Sequence, residues 1–429
     1  MSSSTYYTSL SGMLAASYGL QNCSNNVANM DNAGYKRSDV FYSALGQGDN
    51  PYGLGGGVTI GGKSVNFSAG NYQETGNVSD LAIVGNGFFI VRLPNGELQY
   101  TRNGSFGFNN DGLMIEKRSG GLVQGYDKNG CLVPLSNKGP EICSGKATNY
   151  VQLKGELAFE ANPEYKPDEQ TSDEGPYTAI TFTVGNIFDS QGNANSVTVT
   201  LTSPKLPTGN SGNVDIPGAL PTNADTWNVE IKSSDGKILE TDTRTIQFTI
   251  NSEMGIPDKI NNKILFSLNG EQVELNFGSP ENDVNNSLRL YKKTPTEHTM
   301  TTVNTVKQNG YKMGKQNDFS INDDGLLIYH YDNGQKLNGI HLALAGFDDM
   351  ANNLVQTDNN MFRAKSDSGR YIGRANQHAL GAIQSKKLES SNVDSTTEFA
   401  NIVVLQRMFQ ACSQIMDIDK QLLEELEKK

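Results

Sequence analysis

Residues 402–426 read IVVLQRMFQACSQIMDIDKQLLEEL, and the spacing of their apolar side chains decides how the chain is built. Ile402, Leu405, Phe409, Cys412, Met416, Leu423 and Leu426 fill seven of eight consecutive a/d heptad positions, broken only by Asp419. Steps of three and four residues place them along one stripe of an α-helix. So narrow a stripe is too thin to face the core of a large domain, and it calls for a partner helix. Ahead of it, Ser395 with Glu398 fits a capping box, with Asp394 as an alternative cap. The other end of the chain carries a fainter version of the pattern. Leu10, Met13, Leu20 and Val27 recur at three- and seven-residue steps among Ser, Asn, Gln and Gly, and the first charged side chain is Asp31. Each end is the obvious partner of the other, or of a neighbouring copy.

Between the ends the period changes to two. Ile180, Phe182 and Val184; Val197, Val199 and Leu201; Trp227, Val229 and Ile231; Ile246, Phe248 and Ile250; and Val273, Leu275 and Phe277 each define one buried strand face. Turns fall at Asp189-Ser190-Gln191-Gly192, Asp235-Gly236 and Asn269-Gly270, where Asn, Asp and Gly tolerate positive φ. Short strands at this spacing predict a small β-barrel or sandwich. Phe106–Ile115 (FGFNNDGLMI) and Phe319–Ile328 (FSINDDGLLI) agree at six of ten positions. Two such hairpins flanking a long middle section predict one β-domain interrupted by an insertion. Residues 46–62 hold eight glycines and Pro51, which reads as an extended, mobile connector. Residues 156–174 hold seven acidic side chains against one lysine, which reads as a solvated acidic loop.

Composition narrows the function. At a net charge of −12 the chain has no basic patch with which to neutralise phosphates, so nucleic acid is not expected as a partner. No apolar run approaches a membrane span, and the N-terminus has neither a basic n-region nor an apolar h-region, so no cleavable signal peptide is expected. Cys23, Cys131, Cys143 and Cys412 form no C-x-x-C pair, and His298, His330, His341 and His378 are scattered, so no metal site is expected. Cys131 and Cys143 could bridge if their strands are adjacent, but two small buried or half-exposed thiols are the simpler reading, and Cys23 and Cys412 read as packing residues. Nucleophile elbow, Walker loop and metalloprotease helix are all missing, and Gly85-Asn86-Gly87 lies between two apolar strands, where its glycines serve a turn. Neither a catalytic centre nor a cofactor is expected, and a structural or assembly protein is the better class.

The motifs around these elements resemble the axial proteins of the bacterial flagellum, the rod and hook family. Asn25-Asn26-x-Ala28-Asn29-x-x-Asn32-x-Gly34-Tyr35-Lys36-Arg37 resembles the family's N-terminal signature, with Asn32 where Thr or Ser is common. Thr75-Gly76-Asn77-x-x-Asp80-Leu81-Ala82-Ile83-x-Gly85-Asn86-Gly87-Phe88-Phe89 and Tyr100-Thr101-Arg102-Asn103-Gly104 resemble the opening of its β-domain. Leu388-Glu389-x-Ser391-Asn392-Val393-Asp394 resembles its C-terminal signature. In the middle, Phe188-Asp189-Ser190-Gln191-Gly192-Asn193 with Asp225-Thr226-Trp227 is similar to the outer domain of hook members, with Gln191 where Leu is usual.

The resemblance implies a mainly β, multidomain chain with α-helical termini. Residues 1–32 and 385–429 would form a coiled-coil-like polymerisation domain, joined by extended connectors 33–76 and 372–384. Residues 77–147 and 290–371 would make a discontinuous β-domain, and 148–289 an inserted outer β-domain. The implied function is that of a hook subunit polymerising into a curved, flexible tube that transmits torque from rod to filament. The implied partners are further copies of itself, rod, hook-cap and hook–filament junction proteins, and the flagellum's type III export apparatus, which would deliver it outside the cell. A rod-type axial protein and a secreted β-rich adhesin or enzyme are the competing readings.

Overall fold

The computed structural model describes residues 2–46, 55–163, 177–203, 226–250, 254–278, 286–293, 300–367 and 369–427. The chain forms two compact units. The first comprises Met1–Gly139, Asn317–His330 and Lys336–Lys429; the second, Pro140–Gln316 with Tyr331–Gln335, is inserted into it in sequence.

In the first unit, helix α1 (Ser2–Ala28) packs on helix α3 (Ser395–Glu427); a short helix α2 (Met350–Asn353) lies between them in sequence. A Cβ on Gly12 would lie 2.7 Å from Cys412 Sγ, and one on Gly19 would lie 3.0 Å from Leu405 Cδ1, so the pair runs antiparallel and in close contact. That contact displaces the expected seam. The buried residues of α1 are Ser9, Gly12, Ala15, Ala16, Gly19, Asn22, Cys23 and Asn26, whereas Leu10, Met13, Leu20 and Val27 lie one residue over and are half-buried. Only small side chains let the two backbones approach this closely, so the leucines become flanks. On α3, Ile402, Leu405, Cys412 and Met416 are half-buried along the seam, while Phe409 and Leu423 are more than a third exposed. Asp419 keeps its seam position and is buried. The side chains of Ile250 and Leu426 lie outside what the structure describes.

Helix α3 starts on Asp394, whose Oδ1 accepts the Thr397 N–H at 2.7 Å. Ser395 is thus the first helical residue and does not cap, and Glu398 is turned inward and buried instead of reaching back to the cap.

The connectors are more ordered than their glycine content predicts. Strands β1 (Ser38–Ala44) and β2 (Val58–Val65) pair antiparallel, from Ser38 opposite Val65 to Ala44 opposite Val58, so residues 58–62 are strand; 47–54 lie outside the described residues. Strand β3 (Tyr72–Glu74) pairs with Lys387–Glu389, and β4 (Leu81–Val84) with Ala382–Ser385. Each leg finds its partner about three hundred residues away, a pairing that no local pattern displays. Strand β5 (Phe88–Arg92) carries the β-core. Phe88 meets Phe67, Phe347 and Phe362 edge-on or tilted at 5.7–6.0 Å between centroids, and Tyr100 meets Phe347 at 4.9 Å.

The two repeated hairpins adopt the same turn. Asn109 Oδ1 accepts the N–H of Asp111 at 3.0 Å and of Leu113 at 2.8 Å; Asn322 Oδ1 accepts those of Asp324 at 3.1 Å and Leu326 at 2.8 Å. Their rings touch as well, Phe108 against Phe319 at 5.1 Å.

The second unit holds a ten-stranded sheet. All of the predicted inward residues that the structure describes, from Ile180 to Phe277, are buried in one cluster around Trp227, whose ring lies 5.5 Å from Phe159. The unit reaches beyond 148–289 at both ends. Thr302–Gln308 lies antiparallel along 151–156, and Ile142–Cys143 pairs with Gly314–Lys315. Tyr150–Phe159 also runs parallel to Glu271–Asn276 and to Leu288–Lys292. Glu156 therefore sits in a strand, within 3.4 Å of Arg289, and not in an acidic loop; residues 164–174 of that stretch lie outside the described residues. Leu239 N–H donates to Ile231 O at 2.9 Å, and Asp242 N–H to Leu265 O at 3.0 Å, so the segment between them bonds strands on both sides.

Candidate assembly site

The turn after α1 is built from amides. Asn22 and Asn26, one helical turn apart, both donate through Nδ2 to the Ser38 carbonyl, at 2.6 and 2.9 Å, and Asn26 Oδ1 accepts the Ser38 N–H at 3.1 Å. Asn26 therefore pairs with Ser38 as a neighbouring strand would, which binds β1 to the helix. Tyr35 donates its hydroxyl to Asn26 Oδ1 at 3.2 Å and accepts from Asn25 at 3.4 Å; burial raises its pKa. Asn29 donates to the Asn25 carbonyl at 2.8 Å and accepts from Asn32 at 2.7 Å, and Arg118 reaches Asn32 at 2.9 Å. Ala28 is exposed. Gly34 is at φ +68°, and a Cβ there would collide with the backbone of Arg102 and Asn103.

Beside this turn is a buried ion triad. Lys36 Nζ lies 2.6 Å from Glu389 Oε1, and Arg102 Nη1 lies 3.2 Å from Glu389 Oε2. The Glu389 side chain is fully buried, and its Oε1 also accepts the Gly70 N–H at 3.0 Å. Burial pushes the Lys36 ammonium below its usual range while the Glu389 carboxylate pulls it back, and Arg102 is lowered by burial in the same way. Arg102 further donates to the carbonyls of Ile83 at 3.2 Å and Gly85 at 2.6 Å. Asn86 O accepts the Gly381 N–H at 2.7 Å, and Gly85 and Gly87 take φ of +107° and +121°, conformations glycine adopts without strain. On the C-terminal leg, Asn392 Oδ1 accepts the Arg37 N–H at 2.7 Å, and its Nδ2 donates to the carbonyls of Asn66 at 2.8 Å and Ser68 at 3.0 Å. Ser391 Oγ accepts the half-buried Val393 N–H at 3.3 Å, just ahead of the Asp394 cap. One knot thus joins four segments: 34–37, 66–70, 83–103 and 389–394. Gly34, Tyr35, Gly85–Gly87 and Ser391–Asp394 of the signatures fall within it, whereas Asn25, Asn26, Ala28 and Asn29 lie on α1 and the turn after it; its centre, Glu389 with Lys36 and Arg102, lies inside the motifs at positions that periodicity does not single out.

Beyond the knot, α3 carries a second heptad seam. Val404, Met408, Ala411, Ile415, Ile418 and Leu422 repeat at four- and three-residue steps about 100° round the helix from the first seam, and all but the half-buried Met408 are exposed. Val404 is 64% exposed, Ile415 45%, Ile418 56% and Leu422 54%, an exposed apolar stripe of the kind that marks an interaction surface. The signal lay in the quoted 402–426 stretch, where a count of the stronger stripe alone passes over the second. Tyr6, Tyr7 and Leu14 are the large exposed apolar residues of α1. All four cysteines are free thiols, and burial, with Glu398 beside it, pushes that of Cys23 up to about 12. Among the described residues, which exclude His298, no group of three or more His, Cys, Asp or Glu is arranged to hold a metal ion. No described helix is long and apolar enough to cross a membrane.

Residues 82–152 match the family described as flagellar hook protein FlgE/F/G D1 domain, and residues 384–428 match flagellar basal body rod FlgEFG protein C-terminal. These matches contain Gly85–Gly87 and Arg102 on one side, and Glu389, Asn392 and Asp394 on the other. The chain is 27% identical to the flagellar hook protein FlgE of Escherichia coli K12, over 97% of this chain and 98% of that protein. It is 28% identical to that of Salmonella typhimurium over 98% and 99%, and 24% identical to that of Borreliella burgdorferi over 98% of both. A crystal structure of Helicobacter pylori flagellar hook protein FlgE2 is similar over 74% of this chain and 100% of that one, at 12% identity and a TM-score of 0.43.

Proposed function

Because the chain belongs to the flagellar hook and rod protein family, we propose that it works as the structural subunit of a flagellar hook and not as an enzyme. The observation that carries this reading is its end-to-end match to hook proteins, in which chain lengths agree and the inserted unit is included. The mode of assembly is supported by α3, which carries two apolar seams and fills only one of them within the subunit. A second seam on a helix already paired is what a continuing bundle of subunits requires.

In this reading Leu10, Met13, Leu20, Val27, Ile402, Leu405, Phe409, Met416 and Leu423 serve polymerisation. Half-buried or exposed in one subunit, they become fully covered when neighbours pack beside them. The helix pair lines a central channel, and the knot around Glu389 holds it to the β-domain. The ten-stranded unit, curled through its doubly bonded segment into a barrel-like body, forms the outer shell. An uncharged α1 suits such a crowded interior, where an unpaired charge is costly. The tube belongs to the flagellum, outside the cell, where it carries torque between rod and filament. Its partners are the rod, hook-cap and hook–filament junction proteins, and the flagellar type III apparatus exports it.

Electron microscopy of the purified full chain at raised salt tests the proposal. Hollow tubes of uniform diameter are expected; a protein that stays monomeric over the whole range of salt and concentration contradicts it.

A further inference from the structure

A cleft of about 260 Å³ opens beside the helix pair, walled by α1, β1 and α3. Two acceptor atoms in its lining lack donors. Glu398 is 2% exposed and its Oε2 has no hydrogen-bond partner; Asn22 is 9% exposed and its Oδ1 has none either. Two carboxylates share one guanidinium here. Arg37 Nε lies 3.1 Å from Asp39 Oδ1 and Nη2 lies 3.3 Å from Asp39 Oδ2, while Glu398 Oε1 is left at 4.0 Å. The Cys23 thiol beside Glu398 is held neutral by burial and adds no positive charge. Tyr42 and Leu405 also line it, surfaces against which an aliphatic stem packs. What the cleft lacks is a long side chain ending in a cationic donor.

The helix pair offers two cations, since α1 has none: Arg407 and Lys420, both exposed on α3. Among the described residues, Arg407 makes no ion pair. It stands nine residues beyond Glu398 on the same helix, about 180° round the axis, so it points away from the cleft of its own copy. Lys420 falls on about the same face as Glu398 and would not bridge outward.

We propose that this cleft receives the Arg407 side chain of a second copy of the chain, whose guanidinium donates to Glu398 and Asn22. A planar guanidinium suits two acceptors at once better than an ammonium does. Receptor and ligand lie on opposite faces of one helix, so the contact is head-to-tail, and a head-to-tail contact that does not close on itself generates an open helical polymer. The inference rests on the assembly reading above and names one of its contacts.

The test is a double-mutant cycle on the critical concentration for assembly of the full chain, measured by sedimentation. Arg407→Gln and Glu398→Gln are each expected to raise it roughly tenfold or more, and the double variant no further than the larger single effect. Arg407 is exposed, so Arg407→Gln should keep the helical circular dichroism of the parent and decides the matter even if Glu398→Gln unfolds α3. Assembly of Arg407→Gln at the parent's critical concentration, or single effects that multiply in the double variant, would overturn the contact and leave the assembly reading standing. Failure of the parent chain to assemble under any condition would overturn both.

Discussion

The inserted unit and the paired end helices use their apolar residues in opposite ways. Within Pro140–Gln316 the inward side chains of successive strands vanish into one cluster around Trp227, and that unit needs nothing further to cover them. Between α1 and α3, small residues of α1 face the α3 seam and much of the bulky apolar surface is left exposed. The first arrangement is that of a finished core. The second is that of a core whose other half belongs to another molecule. The physics follows from length as well, because a helix pair with one narrow seam buries little area and gains most of its stability from tertiary contacts.

The largest effect that would break this contrast is on the finished side. Trp227→Ala should destabilise the inserted unit by about 3–5 kcal/mol in denaturant unfolding. A change well under 1 kcal/mol would mean that the cluster is not a continuous core. Next comes the knot. Glu389→Gln leaves Lys36 and Arg102 buried against a neutral amide, and removing one partner of a buried ion group costs roughly 3–5 kcal/mol. It should also loosen the segments tied at 34–37 and 66–70, seen as faster amide hydrogen exchange at Gly34 and Gly70. Unchanged exchange there would show that the backbone bonds hold the knot without the charges.

The smallest effect lies at the start of α3. The Thr397 N–H holds the Asp394 carboxyl below its usual range, so its contribution is complete at neutral pH and is lost as pH falls through that lowered pKa. Asp394→Ala should therefore lower the helix melting temperature by circular dichroism at neutral pH and match the parent in strong acid. A difference that persists in acid would shift the cap to another residue.

Much of this was legible in the chain. The period-two faces of 180–277 needed only alternation to be found. The C-terminal end read as a helix from three- and four-residue steps, the N-terminal end from three- and seven-residue steps. What stayed hidden had definite causes. On α1 the eye goes to Leu10, Met13, Leu20 and Val27, yet close helix contact selects Gly12, Ala16 and Gly19, which look like filler. The glycines of 55–62 suggested a slack connector, but β2 is held by β1, and β3 and β4 by a leg some three hundred residues on. Glu389 draws its partners from Lys36 and Arg102, and such three-way convergence leaves no periodic trace. Glu398 looked like half of a capping box because it stands three residues after Ser395; Asp394 took the cap, and Glu398 was free to turn inside.

The central claim is that the outer seam of α3 exists for other copies of the chain. Replacing Ile415 and Ile418 with Asp tests it most directly, with the stability of the isolated subunit and its sedimentation into tubes measured side by side. Both side chains are exposed, so the melting of the subunit should stay within about 0.5 kcal/mol of the parent while tubes no longer form. Tubes that form at the parent's concentration would contradict the account.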